Sequence, residues 1–521
     1  MAVRNHEIQF KQQPQTLPAR RTAGVCLHIT SLPGRYGIGQ IGAEARRFID
    51  VMRRMQLGVW QFLPTGPTAY GDSPYQPLST FAGNEMLIDM ATLVELDLLR
   101  GDELRPLEAL PTDTVDYGAL IPVKTRLLKI AAGRFADVAD AGLKAEFNEF
   151  VAYNDVQWLH DYALFRILKS RHDDRPWPEW APHFVYREAK AMQQLEILVA
   201  DEIEILKIIQ FLFNCQWRQF KDYANASGIQ LFGDMPIYIA MDSADAWANP
   251  GLLQIDRDGR PASVAGVPPD YFSEDGQLWG NPLYAWDAHA AQGYSWWVER
   301  LQALSELVDI VRVDHFRGFE AYWSVQAGAE TAREGAWVPG PCDAIFDAMR
   351  EALGQLPIVA ENLGVITPEV EALRDRHHIP GMAVLQFDVV DEEAPLDVVA
   401  NSVCYTGTHD NDTTLGWFQG SPDDLRSADE IAAARRAVLE LTDGTPETIN
   451  TDLIRAAFST NARLAIAPMQ DFLGLGSEAR LNTPGTSGDN WRWRLEAAQL
   501  SDELIAHVAK LVRDSGRGIT G

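Results

Sequence analysis

The sequence has 521 residues, of which 46% are hydrophobic and 23% are charged, and its formal net charge is −28. This composition is ordinary for a globular protein with a large core, and the length fits either two domains or one α/β barrel with insertions. The negative charge disfavours nucleic acid and anionic membranes as partners, because both attract basic surfaces. The negative charge does not exclude a neutral substrate.

The four cysteines, Cys26, Cys215, Cys342 and Cys404, are widely scattered. Zinc ligands come in close pairs and disulfide scaffolds are dense in cysteine, so neither is expected, and a reducing compartment fits. The polar N-terminal residues lack the apolar core of a signal peptide. No run approaches the roughly 20 apolar residues that span a bilayer. We therefore predict a soluble protein of the cytoplasm.

Short apolar runs alternate with helical patterns over most of the chain, which is typical of β/α units and a parallel sheet. The candidate strands are Gly24–Ile29, Val59–Pro64, Leu231–Ile239, Ile310–His315, Pro357–Leu363, Met382–Phe387, Ser402–Thr406 and Leu464–Met469. Helical stretches include Ile41–Met55, Trp296–Leu307, Ala344–Leu353 and Pro368–His377. Eight such strands predict a closed (β/α)8 TIM barrel. An open doubly wound sheet is the alternative, but no Gly-rich phosphate loop follows the first strand.

Two segments are longer than a β/α unit requires. Residues 65–205 follow the second strand and contain helical patterns at Val123–Ala132, Gly142–Lys169 and Met192–Phe213, which predict a mainly helical inserted subdomain. Residues 240–288 follow the third strand and are rich in Pro, Gly, Asp and aromatic residues without clear periodicity. They predict a long ordered loop over the active site. We predict one catalytic barrel over residues 1–521 that carries both insertions.

The stretch Val308–Phe319 combines a candidate strand with ionic residues. Arg312 and Asp314 share one face of that strand, because side chains two apart point the same way, and His315 lies on the other face. A guanidinium beside a carboxylate keeps the carboxylate ionised, as a carboxylate nucleophile requires. A structural Arg–Asp pair is the alternative, and this stretch alone does not decide between them.

Three carboxylates, Asp314, Glu361 and Asp410, each follow an apolar run on a different candidate strand. In a (β/α)8 barrel the carboxyl ends of the strands form one mouth, where active sites are built. Retaining glycosidases use two carboxyl groups about 5–5.5 Å apart, one as nucleophile and one as acid/base. The largely apolar surroundings of Glu361 would raise its pKa and suit a proton donor. Taken alone, Glu361 is more typical of a carboxylate near a helix N-terminus, and His409-Asp410 is more typical of a turn. The joint placement of the three carboxylates at strand ends favours an active site.

Many aromatic residues fall in predicted loops, namely Tyr70, Tyr75, Tyr271, Phe272, Trp279, Tyr284 and Trp286. Aromatic rings among Asp, Asn and Gln suit sugars, whose apolar faces stack while their hydroxyls form hydrogen bonds. Nucleic acid would use the same rings but would also need a basic groove. Plain packing remains the alternative for any single Trp. The pattern favours a carbohydrate substrate.

A series of motifs resembles the 4-α-glucanotransferases called amylomaltases or disproportionating enzymes, which are relatives of the α-amylase barrels. The motifs are Gly71-Asp-Ser-Pro-Tyr-Gln, Gly233-Asp-Met-Pro-Ile-Tyr, Gln277-Leu-Trp-Gly-Asn-Pro-Leu-Tyr, Arg312-Val-Asp-His-Phe-Arg-Gly, Ala360-Glu-Asn-Leu-Gly, Thr406-Gly-Thr-His-Asp-Asn and Asn490-Trp-Arg-Trp-Arg. The resemblance runs from about residue 24 to about residue 498. The Trp-Gly-Asn-Pro and Asn-Trp-Arg-Trp-Arg runs distinguish this group from ordinary α-amylases.

The resemblance implies roles for the matching positions. Asp314 would be the nucleophile that forms a covalent glucosyl–enzyme intermediate, Glu361 the acid/base, and Asp410 the transition-state stabiliser. Substrate-binding roles are implied for Arg312, His409, Asp234, Tyr75, Ser73, Gln277, Trp279, Asn490 and Asp391. Neither a metal nor a cofactor is implied. Relatives lack a separate C-terminal β-domain, and too little chain follows the eighth strand here to form one.

The implied activity is a retaining transfer of 1,4-α-D-glucan segments to the 4-hydroxyl of an acceptor glucose or glucan. The partners would be maltooligosaccharides and longer α-1,4-glucans, with glucose as an acceptor. One alternative is a retaining hydrolase with the same three carboxylates. Another is a non-catalytic glucan-binding protein, but such a protein would not need all three carboxylates. The segment Gly266-Val-Pro-Pro-Asp-Tyr-Phe, with Trp279 beyond it, is our candidate cover and acceptor platform. Asn362 departs from the Asp common in relatives, which we expect to shift the pKa of Glu361 slightly.

Overall fold

The computed structural model describes residues 16–69, 71–269, 274–390, 398–421, 424, 426–486 and 488–519. Among these residues, twelve strands form two sheets. In chain order they are β1 Thr22–Cys26, β2 Val59–Gln61, β3 Gln230–Pro236, β4 Ser263–Val267, β5 Gln277–Pro282, β6 Ile310–Asp314, β7 Ala321–Gln326, β8 Gly335–Pro339, β9 Ile358–Ala360, β10 Gly381–Val384, β11 Ser402–Tyr405 and β12 Leu464–Pro468.

The larger sheet is an eight-stranded parallel barrel with the strand order β10-β11-β12-β1-β2-β3-β6-β9. Its two end strands approach each other, since the Ala360 N–H donates to the Pro380 carbonyl at 2.8 Å. The Met382 N–H also donates to Asn362 Oδ1 at 2.8 Å. These contacts nearly close the barrel. Each of the eight predicted strands is present, so the predicted (β/α)8 fold is confirmed.

The barrel interior is filled by apolar side chains that come from every barrel strand: Cys26, Val59, Phe232, Ile310, Val359, Met382, Val384, Val403, Tyr405, Leu464 and Ile466. Side chains two apart on a strand share a face. The inward positions that follow Phe232 and Ile310 are therefore Asp234, Arg312 and Asp314. The barrel thus changes from an apolar core to an ionic mouth along the same inward rows.

Helices surround the barrel, and the four helical stretches predicted from the sequence are confirmed. The helices that follow barrel strands are Ala43–Met55, Trp286–Ala291, Ser295–Leu307, Asp343–Leu353, Pro368–Arg376, Leu385–Asp388, Thr414–Gln419, Ala428–Thr442, Ile449–Ser459, Met469–Leu473 and Asp502–Asp514. After β12 the described residues contain no further strand. None of the described helices is long and apolar enough to cross a membrane.

The connection between β2 and β3 is mainly helical. Its helices are Met90–Glu95, Arg105–Glu108, Tyr117–Val138, Ala141–Asn154, His160–Arg171, Pro182–Val185, Ala189–Leu198 and Ala200–Ala226. The last helix runs through the predicted boundary at residue 205. Its later part packs on the barrel, where Phe220 meets Trp60 and Trp217 meets Phe62. One helix therefore belongs to both the insertion and the barrel wall.

The smaller sheet is antiparallel, with the strand order β5-β4-β7-β8. Its first two strands lie in the segment 240–288, together with the short helix Ala244–Ala248, so the expectation of a loop without regular structure is wrong for these residues. Their partners, β7 and β8, follow β6 and were not predicted. The sequence signal is weak because β4 and β5 are short and contain Gly266 and Gly280, and because β4 pairs with residues about sixty positions away.

Trp60 supports the barrel wall from β2. Its ring contacts Phe48, Phe62 and Phe220, and its indole N–H donates to the Leu27 carbonyl at 2.8 Å. Replacing Trp60 with Ala is expected to destabilise the protein by about 3–5 kcal/mol, because a fully buried aromatic side chain is lost and a cavity remains. The measurement is the shift of the urea midpoint. Trp60→Phe should cost less, and a loss below about 1 kcal/mol for Trp60→Ala would contradict the expectation.

Candidate active site

The three predicted catalytic carboxylates all lie at the carboxyl ends of barrel strands. Asp314 is the last residue of β6, Glu361 follows β9, and Asp410 lies in the loop after β11. The register brings the first two together, because Val313 pairs with Ala360 and the Glu361 N–H donates to the Val313 carbonyl at 3.0 Å. Parallel pairing places these strand ends at the same mouth of the barrel.

Arg312 is shared by two carboxylates. One guanidinium nitrogen lies 2.7 Å from Asp234 Oδ2, and the other lies 2.8 Å from Asp314 Oδ1. The side chains of Arg312 and Asp234 are 4% and 0% exposed, whereas that of Asp314 is 31% exposed. The Tyr75 hydroxyl donates to Asp234 Oδ2 at 2.8 Å. Arg312 is thus fixed by the buried Asp234 carboxylate, and Asp314 is the partner that solvent and a ligand can reach.

The pKa of Asp314 does not follow the simple expectation from its neighbour. Arg312 lowers it, as expected, but burial among protein atoms is the larger effect, and the Asp234 and Asp410 carboxylates add to the increase. The net result is a pKa above the ordinary aspartate value. Arg312 is adjacent to Asp314 in the sequence, whereas the two carboxylates come from other strands and are brought near only by the fold.

Glu361 is buried, and both of its carboxyl oxygens accept backbone hydrogen bonds. The His315 N–H donates to Oε2 at 2.7 Å, and the Leu363 N–H donates to Oε1 at 2.8 Å. His315 has a left-handed backbone with φ 55°, so the chain turns sharply just after Asp314 and its amide meets Glu361. Burial and the Asp314 charge raise the pKa of Glu361 to about 7, while Arg312 and the two amides oppose the increase.

Asp410 is the most accessible of the three carboxylates, with a side chain that is 45% exposed. Asn482 Nδ2 donates to its Oδ1 at 2.6 Å, and His409 Nε2 lies 3.3 Å from its Oδ2. The His409 ring stacks on Tyr75, with centroids 5.1 Å apart and planes 12° apart. Arg480 donates to the Asp410 carbonyl at 2.7 Å. Asp410 is therefore held mainly by a loop that follows the last barrel strand.

Asn482 and Arg480 were not predicted as site residues from the sequence. They follow no apolar run and lie in an irregular stretch, so neither periodicity nor a strand end points to them. The nearby motif that begins at Asn490 was the only sequence signal in this region. Asn490 itself is half-buried, and its side chain bonds Thr483 and Thr486 within its own loop.

Other predicted substrate-binding residues border the mouth. Gln277 Oε1 accepts a hydrogen bond from Trp279 Nε1 at 3.1 Å, and the Trp279 ring meets the His315 ring edge-to-face at 4.8 Å. This contact brings β5 of the smaller sheet next to the end of β6. Ser73 Oγ accepts from the Tyr75 N–H at 3.2 Å and shapes the turn before Tyr75.

Some of the predicted residues lie outside the described part of the chain. They are Asp391, Tyr70, Tyr271 and Phe272. Asn362, where relatives commonly have Asp, lies within the described residues. Its side chain points to β10 and to the helix Pro368–Arg376. Nδ2 donates to Glu371 at 2.8 Å while Oδ1 accepts from Met382. The Asn362 side chain thus contributes to barrel closure, and its effect on the pKa of Glu361 stays a prediction.

Comparison with known proteins decides the family. Residues 27–500 match the family model described as 4-alpha-glucanotransferase. The chain belongs to the 4-alpha-glucanotransferase family. The 4-alpha-glucanotransferase of Thermus thermophilus is 46% identical over 95% of this chain and 99% of its own length. That of Synechocystis sp. is 45% identical over 96% of this chain and 99% of its own length.

A solved structure agrees with this assignment. The amylomaltase from Streptococcus agalactiae in complex with acarbose has a TM-score of 0.90 and 35% sequence identity. The match covers 96% of this chain and 100% of that chain. The resemblance seen in the motifs is therefore confirmed, and the chain is an enzyme of the 4-alpha-glucanotransferase family. The alternative of a non-catalytic glucan-binding protein is wrong.

Proposed function

We propose that this transferase moves segments of a 1,4-α-D-glucan to the 4-hydroxyl of an acceptor glucose or glucan, with retention, through a covalent glycosyl–Asp314 intermediate. One observation carries the proposal. Two carboxyl groups at neighbouring strand ends differ in their surroundings, since Asp314 is ion-paired with Arg312 and partly exposed, whereas Glu361 is buried and its pKa is raised to about 7. Pairs of titratable groups with such different surroundings divide into nucleophile and acid.

In the first step, an Asp314 carboxylate oxygen attacks the anomeric carbon and the glycosidic bond breaks. Arg312 holds Asp314 through one of its oxygens, which leaves the other for the attack. Glu361 gives its proton to the departing glycosidic oxygen, so the reducing-end part of the glucan leaves as a neutral alcohol. The carboxylate that remains on Glu361 is stabilised by the two backbone amides that already bond it.

In the second step, Glu361 acts as a base. Burial still raises the pKa of Glu361 at this stage, but esterified Asp314 carries no charge, so its contribution to the increase disappears while Arg312 and the amides remain and the pKa falls. Glu361 then takes the proton of the acceptor 4-hydroxyl, whose oxygen attacks the anomeric carbon and releases Asp314. The proton that Glu361 gave to the leaving group in the first step is thus replaced from the acceptor.

We assign Asp410 and His409 to the sugar hydroxyls in the transition state. The accessible carboxylate of Asp410 and the stacking of His409 on Tyr75 support this role. Asp234 is too deeply buried to contact a sugar, and we assign it to holding Arg312 and Tyr75. Proposed substrate-binding residues remain Tyr75, Arg312, Ser73, Gln277, Trp279, Asn490 and Asp391. The chemistry proposed here requires neither a metal nor a cofactor.

Transfer instead of hydrolysis requires that the acceptor outcompete water at the intermediate. We assign this task to the segment 240–288 as an inserted subdomain over the mouth, which packs against the helical subdomain 65–205. The contact of Trp279 with His315, the residue after Asp314, supports an aromatic acceptor platform there.

The proposed partners are α-1,4-glucans, maltooligosaccharides and glucose, and the acarbose complex of the related amylomaltase supports a saccharide ligand. The four free cysteines support a cytoplasmic location.

Incubation with maltotriose tests the proposal. Two maltotriose molecules should give maltopentaose and glucose, followed by a longer series, while the number of reducing ends stays constant. A hydrolase would give maltose and glucose and would add one reducing end for each bond cleaved. Chromatography of the products, combined with a reducing-end assay, separates the two outcomes. Hydrolysis products alone, with rising reducing ends, would contradict the transferase proposal.

A further inference from the structure

Asp471 is a buried carboxylate that none of the steps above uses. It lies three residues beyond β12, in the short helix Met469–Leu473, and is 1% exposed. Three neutral donors converge on it. Thr406 Oγ1 donates to Oδ2 at 2.6 Å, Thr414 Oγ1 donates to the same oxygen at 2.7 Å, and the Thr414 N–H donates to Oδ1 at 2.7 Å.

The two threonines stand at opposite ends of the loop that carries His409 and Asp410. Thr406 directly follows β11, Thr414 begins the helix Thr414–Gln419, and both are fully buried. One carboxylate therefore ties the entry and the exit of residues 407–413 to the end of the neighbouring strand β12. The Asn450 side chain in turn donates to the Asp471 carbonyl at 3.0 Å and helps to hold Asp471 in place.

Between these two anchors the loop is also held from the side, by Arg480 and Asn482 at Asp410 and by Gln386 and Ser477 at Asp412. Within it, Asn411 Oδ1 accepts from the N–H and the hydroxyl of Thr408 at 2.8 and 2.9 Å, which closes a compact turn. The Asp410 side chain projects from this turn and is 45% exposed. A buried carboxylate is costly unless its oxygens are well hydrogen-bonded, so three short bonds directed at one loop are a specific arrangement.

We propose that Asp471 is a positioning residue for Asp410, and that its clamp on Thr406 and Thr414 sets where the Asp410 carboxylate meets the sugar. This inference rests on the proposed role of Asp410. The carboxylate is needed because an Asn side chain has one acceptor oxygen for three donors, and its amide nitrogen would face a donor. The loop would then shift while the barrel stays intact.

The first measurement is the steady-state rate of maltotriose disproportionation by Asp471→Asn. We expect kcat to fall about 10- to 100-fold, because a displacement of about 1 Å of a catalytic group has effects of this size. KM should stay within about threefold, since Asp410 acts at the transition state while ground-state binding spreads over other residues. A folded variant with unchanged kcat would overturn the inference.

A double-mutant cycle separates positioning from plain stability. In an Asp410→Asn background, Asp471→Asn should lower kcat less than about twofold, because the group that it positions is gone. Equal losses of kcat in the two backgrounds would overturn the inference and leave the role of Asp410 intact. A native kcat for Asp410→Asn alone would instead reject the role of Asp410, and with it the task assigned to Asp471.

Asp452 provides a matched control. It is also a buried carboxylate, and it accepts hydrogen bonds from Thr448 and Arg455 at 2.5 Å, away from the loop 407–413. Asp452→Asn should lower the thermal midpoint and leave kcat within about twofold.

If Asp471→Asn does not fold, Thr414→Val removes one hydroxyl donor and keeps the amide. It should show the same lack of additivity with Asp410→Asn at a smaller loss of kcat, and full additivity would overturn the inference.

Discussion

Replacing Asp314 with Asn is expected to abolish glucan transfer, with a loss in kcat for maltotriose of at least about 10³-fold. An amide cannot form the glycosyl ester, whereas its oxygen can still accept the hydrogen bond from Arg312. The loss should therefore come from the chemistry alone, with KM nearly unchanged. The thermal midpoint should stay close to native, because the Arg312–Asp234 pair remains.

The proposed glycosyl–Asp314 intermediate offers a direct measurement besides the rate. Mass spectrometry after rapid acid quenching should find a glycosyl adduct on the native enzyme and none on Asp314→Asn. Asp343 is a suitable control, because it is also an aspartate paired with an arginine, Arg376 at 2.9 Å, but lies on an outer helix. Asp343→Asn should keep both the rate and the adduct. If Asp314→Asn retained a rate within about tenfold of native, Asp314 would not be the nucleophile.

Replacing Glu361 with Gln is expected to change the pH dependence of the reaction as well as its rate. Under the proposed mechanism, kcat/KM of the native enzyme requires Glu361 protonated and Asp314 ionised. It should therefore fall as the pH rises through about 7, where Glu361 loses its proton, and fall again at low pH, where Asp314 gains one. In Glu361→Gln the alkaline fall should disappear, and the rate should drop about 10²- to 10⁴-fold.

A donor that needs no protonation tests the assignment further. Fluoride leaves as an anion, so α-maltosyl fluoride should still glycosylate Asp314 in Glu361→Gln, and fluoride release should be affected far less than the rate with maltotriose. Glu306 is a control, because its pKa is also raised by partial desolvation and it lies at the surface of the helix Ser295–Leu307, away from the mouth. Glu306→Gln should keep the alkaline fall near pH 7. An unchanged alkaline fall in Glu361→Gln would assign that ionisation to another group.

The sequence predicted best where structure follows from local pattern. The β-branched runs around Ile310 and Val359 identify strands, and the alternation of side chains places Arg312 and Asp314 on one inward row. The motifs then indicate the family. The weakest prediction was the segment after β3, because β4 and β5 form only by pairing with β7 and with each other. Such pairing depends on contacts distant in sequence, which no periodicity records.

The site divides in the same way. The sequence by itself determined the eight strands, the helical insertion and the three carboxylates at strand ends, because each depends on residues adjacent in the chain. Only the tertiary structure decided that Arg312 is shared with Asp234, that Asn482 holds Asp410, and that Asp471 clamps the loop between Thr406 and Thr414. The pKa values of Asp314 and Glu361 likewise follow from burial and from charges on different strands, and barrel closure alone brings those strands together.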